Sequence, residues 1–145
     1  ILIDEEKILL SKHLNLGPAG VLWSPPGGGM EFGESAEETL KREFLEETGL
    51  EVEIVKFLFV NEFLSPPLHG IELFFLVDKK AGTIKRGKDP ELKENGQIIQ
   101  EVAFLPIKDI VNMPQSTVHA AFNAISEINN IVKLTGYAIN GAFIK

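Results

Sequence analysis

Residues 25–33 hold two prolines and four glycines in nine positions, and the chain passes from there straight into a run headed by Ser35 and Glu38. Prolines remove backbone donors and glycines weaken helices and strands, so the first stretch is an irregular loop. Ser35 followed three residues later by Glu38 is a capping box, which predicts a helix start. The helix is expected to run to about Thr48, with Gly49 as its C-terminal stop. A glycine-rich loop fixed to a helix N-terminus sets backbone N–H groups beside that end, a geometry suited to anionic ligands.

The rest of the chain supplies strands. Ile1, Leu2 and Ile3 read as a strand already under way, and with no initiator Met, residues before Ile1 are expected. Asp4, Glu5 and Glu6 form a turn into a second strand at residues 7–13, and Val21, Leu22 and Trp23 form a short third. Residues 52–63 are rich in β-branched and aromatic types and read as a long strand. A turn at residues 65–70 leads to residues 71–77, which are apolar without alternation, as in a strand buried on both faces. Residues 79–96 read as a polar loop, residues 100–105 as a strand and residues 106–111 as a short helix. Val118, Phe122, Ile125, Ile128 and Val132 recur at helical spacing, predicting a helix over residues 116–134. Residues 135–145 are expected to add one strand. These elements give an α/β chain with a mixed sheet between helices.

With 145 residues, a single domain over residues 1–145 is expected. There is no cysteine, which excludes disulfides and thiolate chemistry. No apolar run approaches the ~18 residues of a membrane helix. A net charge of −7 disfavours general nucleic-acid binding. A cytoplasmic location and no membrane or nucleic-acid partner are the expectations, with a homodimer as the expected assembly.

The chemistry lies between Gly28 and Leu50. On a helix that begins near Ser35, Glu43 and Glu47 are one turn apart with Glu46 beside them. Leu40 and Phe44 define the buried side, so Glu43 and Glu47 fall on the core-facing half, while Glu37, Glu38, Lys41 and Leu45 face away. Like charges partly desolvated together are costly. A hard divalent cation offsets both costs, since Mg²⁺ and Mn²⁺ prefer carboxylate oxygen and water. Arg42, one turn before Glu46, could hold it by a forked pair, and Glu34 could reach Arg42 or the metal. Glu46-Glu47 alone would be an ordinary solvated helix face. The full pattern is more specific: Gly28, five residues, Glu34, seven residues, Arg42-Glu43, apolar Phe44, one residue, Glu46-Glu47, one residue, Gly49, apolar Leu50. Seven fixed residue types match by chance on the order of 10⁻⁸ per starting position.

This pattern resembles the Nudix box, and the chain is similar to the Nudix hydrolases. Phe44 stands where an aliphatic residue is more usual. The resemblance implies an α/β/α sandwich with a mixed β-sheet. It also implies pyrophosphohydrolysis of a nucleoside diphosphate linked to another group, with Mg²⁺ or Mn²⁺. ADP-ribose-like compounds and (deoxy)nucleoside triphosphates are both compatible substrates. By the same resemblance Glu43, Glu46 and Glu47 would be metal ligands, joined by a carbonyl of Gly27 or Gly28, with Glu34 and Arg42 as a supporting pair. The general base would be Glu46, or a carboxylate beyond the box: Glu94 first, then Glu91 and Glu101. Gly27, Gly29 and Trp23 are the candidates for substrate contact, with Phe63 and Phe74 as further stacking candidates. His13, His69 and His119 are read as surface or loop residues. The rival reading is a Nudix-like domain that senses a nucleotide sugar without cleaving it. Such modules often lose a box carboxylate, and this chain keeps all of them.

Overall fold

The computed structural model describes residues 1–87, 98–123, 125 and 127–144. Their order is β1 (Ile3–Asp4), β2 (Lys7–Leu14), β3 (Val21–Ser24), α1 (Ala36–Thr48), β4 (Leu50–Ser65), β5 (Leu68–Gly82), β6 (Ile99–Pro106), α2 (Ile107–Val111), α3 (Ile128–Ile131), β7 (Gly136–Ile139) and β8 (Ala142–Ile144). The fold is α/β. In place of one mixed sheet there are two four-stranded sheets. In the first, β2 pairs antiparallel with β1, β3 and β6. The second has the order β5-β4-β7-β8 and is mixed, because β7 runs parallel to β4. A parallel bridge between Leu2 and Val77 links the two sheets.

Strand β2 shows why both layers form. Ile8 and Leu10 point into a core with Leu58, Phe59, Phe74, Ile110 and Phe122. Leu9 points the other way, into a second cluster with Phe44, Leu50, Val52 and Val77. Successive side chains of a strand face opposite sides, so β2 carries a core on each. Helix α1 lies over the second cluster, and α2 with the turns after it lies over the first.

The capping box of α1 is complete: Glu38 N donates to Ser35 Oγ at 3.2 Å and Ser35 N to Glu38 Oε2 at 2.8 Å. Gly49 ends the helix in the left-handed region at φ 72°, where its N–H donates to Leu45 O at 2.9 Å. Ser35→Ala is expected to cost ~1 kcal/mol of stability, read by denaturant unfolding, because one N-terminal donor loses its acceptor.

Three expectations are corrected. Residues 116–134 do not form one helix. Among the described residues there are 3-10 turns at Gln115–Thr117 and Ala120–Phe122, then the short α3. The side chain of His119 accepts from Ala121 N and starts a new turn, and Asn129-Asn130 with β-branched neighbours favours helix poorly. Val118, Phe122 and Ile125 still reach the core, so burial rather than helical period set their spacing. Strand β5 is not buried on both faces: Ile71 is 62% exposed. It lies at the edge of its sheet, and it extends to Gly82, through part of the expected loop. The tail forms two strands, β7 and β8, not one. No described helix is long and apolar enough to cross a membrane.

Candidate active site

Arg42 organises the inner half of α1. Its guanidinium forks onto Glu34, Nε to Oε1 at 2.8 Å and Nη2 to Oε2 at 3.0 Å. Nη1 donates to Glu43 Oε1 at 2.7 Å and to Glu46 Oε2 at 3.2 Å, and Nη2 also reaches Gly29 O at 3.1 Å. The forked partner is therefore Glu34, and Glu46 receives a single bond. Glu34 further accepts from Glu31 N at 3.0 Å and Thr39 Oγ1 at 2.8 Å. Bonding from Arg42, then from Glu31 and Thr39, holds the Glu34 carboxyl down at about 2. A depressed folded-state pKa contributes stability above the unfolded value of about 4.5 that is lost as pH falls through about 2. Wild type should therefore melt above Glu34→Gln at pH 5–7, and the gap should close as pH falls toward about 2.

Glu47 sits differently. It is 8% exposed, and Ser11 Oγ donates to its Oε2 at 3.1 Å. Ser11 lies two residues after Leu9 on the β2 face toward α1, which is why the two meet. Burial, followed by repulsion from Glu43 and Glu46, pushes its carboxyl up to about 8. Glu43 lies against the glycine loop: a Cβ on Gly28 would be 2.4 Å from Glu43 Oε1. A side chain at Gly28 would therefore displace the Glu43 carboxylate.

The donor set is oxygen only, and it fits a hard divalent cation. Glu47 accepts from Ser11 and the Gly27 backbone, yet burial still disfavours its charge, and its box neighbours Glu43 and Glu46 are carboxylates. Among the described residues no three acidic or histidine groups already converge as a cation cage. Arg42 engages Glu43 and Glu46, so holding a cation requires these side chains to turn toward Glu47.

A cleft of about 580 Å³ opens beside the loop, lined by Gly27, Gly28 and Gly29, by Thr39 and Leu40 of α1, and by residues 71–75 of β5. Trp23 is not part of its lining, although Leu22 and Ser24 are. Trp23 pairs across β2 with Lys12, on the face opposite Ser11, and packs against the first core. Glu101 also pairs with Lys12 and shares that face, opposite the one that meets α1. Glu91 and Glu94 lie outside the described residues. Phe74 lines the cleft, as do His13 and His119. Ser11, which bonds Glu47, and Thr39 and Glu72, which line the cleft, were marked by no motif. For Ser11 the one signal was a polar residue after the apolar Ile8, Leu9 and Leu10.

The sequence profile described as NUDIX domain matches residues 1–125. The chain belongs to the Nudix family. An ADP-ribose pyrophosphatase of Methanocaldococcus jannaschii is 36% identical over 96 residues, 65% of this chain and 56% of that protein. A putative 8-oxo-dGTP diphosphatase of Bacillus subtilis is 47% identical over 49 residues, 34% of this chain and 30% of that protein. The chain thus spans little more than half the length of the archaeal Nudix relative. A MutT NUDIX hydrolase from Burkholderia pseudomallei superposes with a TM-score of 0.68 at 22% identity, covering 86% of this chain and 92% of that one. An ADP-ribose pyrophosphatase from Streptococcus suis superposes with a TM-score of 0.62 at 19% identity, covering 94% and 92%. These likenesses establish the Nudix fold.

Proposed function

We propose that the chain is a metal-dependent pyrophosphohydrolase that cleaves a nucleoside diphosphate linked to another group, with ADP-ribose-like compounds as the first substrate class. The observation that carries this reading is buried Glu47 one helical turn from Glu43, whose carboxylate lies against Gly28 of the loop that lines the cleft. The archaeal relative supports the substrate class. The Bacillus relative supports (deoxy)nucleoside triphosphates as the second. Retention of every box carboxylate favours cleavage over sensing.

Glu43, Glu46 and Glu47, with the Gly28 carbonyl, would hold Mg²⁺ or Mn²⁺. Such a cation neutralises the pyrophosphate and makes a nearby water more acidic. Arg42 bonds Glu34, Glu43 and Glu46 and ties them together on one side of α1. Gly27 and Gly29 let the loop backbone approach the phosphates. Water adds to one phosphorus and the bridging oxygen leaves with the other, so that ADP-ribose gives two phosphate monoesters and a triphosphate gives a monoester and pyrophosphate. Glu94 is the preferred acceptor for the water's proton. Its support is that the segment leaving β5 is fastened to the end of α1, Lys85 N donating to Thr48 O at 3.0 Å and Gly87 N to Glu47 O at 2.7 Å. Glu46, whose side chain is 34% exposed, is the alternative.

A substrate panel with Mg²⁺ tests the reaction. ADP-ribose should yield AMP and ribose 5-phosphate faster than any triphosphate yields its products. Turnover of triphosphates alone would shift the substrate class, and no turnover of either would overturn the reading.

A further inference from the structure

The wall of the cleft that β5 contributes carries a polar group the reaction does not use. Glu72 lines the cleft, and its side chain is 33% exposed. Asn61 Nδ2 donates to its Oε2 at 2.6 Å, and His119 Nε2 lies 3.1 Å from its Oε1. The direction of both bonds is fixed from behind. Gly141 N–H donates to Asn61 Oδ1 at 2.9 Å, so the amide must turn its NH₂ toward Glu72. Ala121 N–H donates to His119 Nδ1 at 3.2 Å, so the imidazole carries its proton on Nε2 and gives it to Glu72. Two backbone N–H groups thereby require an acceptor on both oxygens of residue 72. Burial pushes the Glu72 carboxyl up, but bonding from His119 and Asn61 outweighs it and leaves the group below its usual value.

A carboxylate has about four lone-pair sites, so about two remain for a ligand in the cleft. Beside them Phe74 offers an apolar ring, stacked on Phe59 at 4.5 Å and 5.6 Å from the His119 ring. We infer that Glu72 determines specificity in this cleft: it takes the part of the substrate that presents two adjacent hydrogen-bond donors, and it rejects acceptors and phosphate there. A ribose diol and the paired N–H groups of a guanine edge share that chemistry. The inference rests on the proposed reaction for its substrates, although recognition can be measured without turnover.

The test is calorimetric binding of ADP, 2′-deoxy-ADP, GDP and IDP to wild type and Glu72→Gln, with cleavage of ADP-ribose measured in parallel. If the diol is read, ADP should bind wild type about tenfold tighter than 2′-deoxy-ADP. If the base edge is read, GDP should bind about tenfold tighter than IDP. Either preference should vanish in Glu72→Gln, whose amide offers a donor where an acceptor is needed. Should that variant melt early, Glu72→Asp replaces it, since it keeps the charge but withdraws it from the cleft. Equal binding of all four by wild type, or a preference that survives the variants, overturns the inference. A Glu72-dependent preference without cleavage of ADP-ribose would instead overturn the reaction and leave recognition standing.

Discussion

Glu47→Gln should lower kcat on the order of 10³-fold or more while leaving the protein at least as stable as wild type at pH 7, since the raised carboxyl of wild type opposes folding there. Burial already favours the uncharged form of Glu47, whose carboxyl stands at about 8. A glutamine of the same shape therefore suits the metal-free fold, and Ser11 keeps an oxygen to bond. What the variant lacks is the negative charge that catalysis requires once a cation and a pyrophosphate are present. Glu46→Gln should show a loss of similar order. Glu38→Gln is the control from the same helix. Glu38 faces away and serves the capping box, a position that glutamine also fills. Its kcat should stay within about twofold of wild type. A comparable loss in all three variants would mean that α1 matters to stability and not to chemistry.

Gly28→Ala should lower kcat by about 10²-fold with little change in melting temperature. The added Cβ would stand 2.4 Å from Glu43 Oε1 and 2.7 Å from Oε2. Those atoms end a flexible side chain, so the fold can adjust by turning Glu43 away. With a Cβ in that space Glu43 could not close up on the loop carbonyl that would share the cation with it, and displacement of about 1 Å is enough for a loss of that size. Gly29→Ala, whose Cβ would meet nothing within 4 Å but would stand where the phosphates approach, should raise KM with less effect on kcat. Equal losses at both glycines would assign the effect to loop conformation instead.

Local signals made α1 and its surroundings legible in the sequence. The Ser35–Glu38 box, the Gly49 stop and the inward placement of Glu43 and Glu47 each depend on residues within a turn or two of one another. Partner choice was harder to read. Arg42 prefers Glu34 as its forked partner because the loop before α1 folds back on the helix, which helical spacing cannot show. Ser11 meets Glu47 across 36 residues, and His119 meets Glu72 across 47, through strand pairing and a turn that no short motif encodes. Trp23 looked like a ligand contact because it precedes the glycine loop. The two-residue alternation of β3 turned it to the far face and left Leu22 and Ser24 to line the cleft. The apolar spacing of residues 118–132 was real, but short turns satisfied it as well as a helix would.

The central claim is that Glu43, Glu46 and Glu47 together form the cation site beside the glycine loop. Anomalous diffraction from crystals soaked in Mn²⁺ tests it most directly. The account predicts a peak bounded by these three carboxylates and the Gly28 carbonyl, lost in Glu47→Gln crystals soaked in the same way. A Mn²⁺ peak elsewhere with none beside these residues would contradict it.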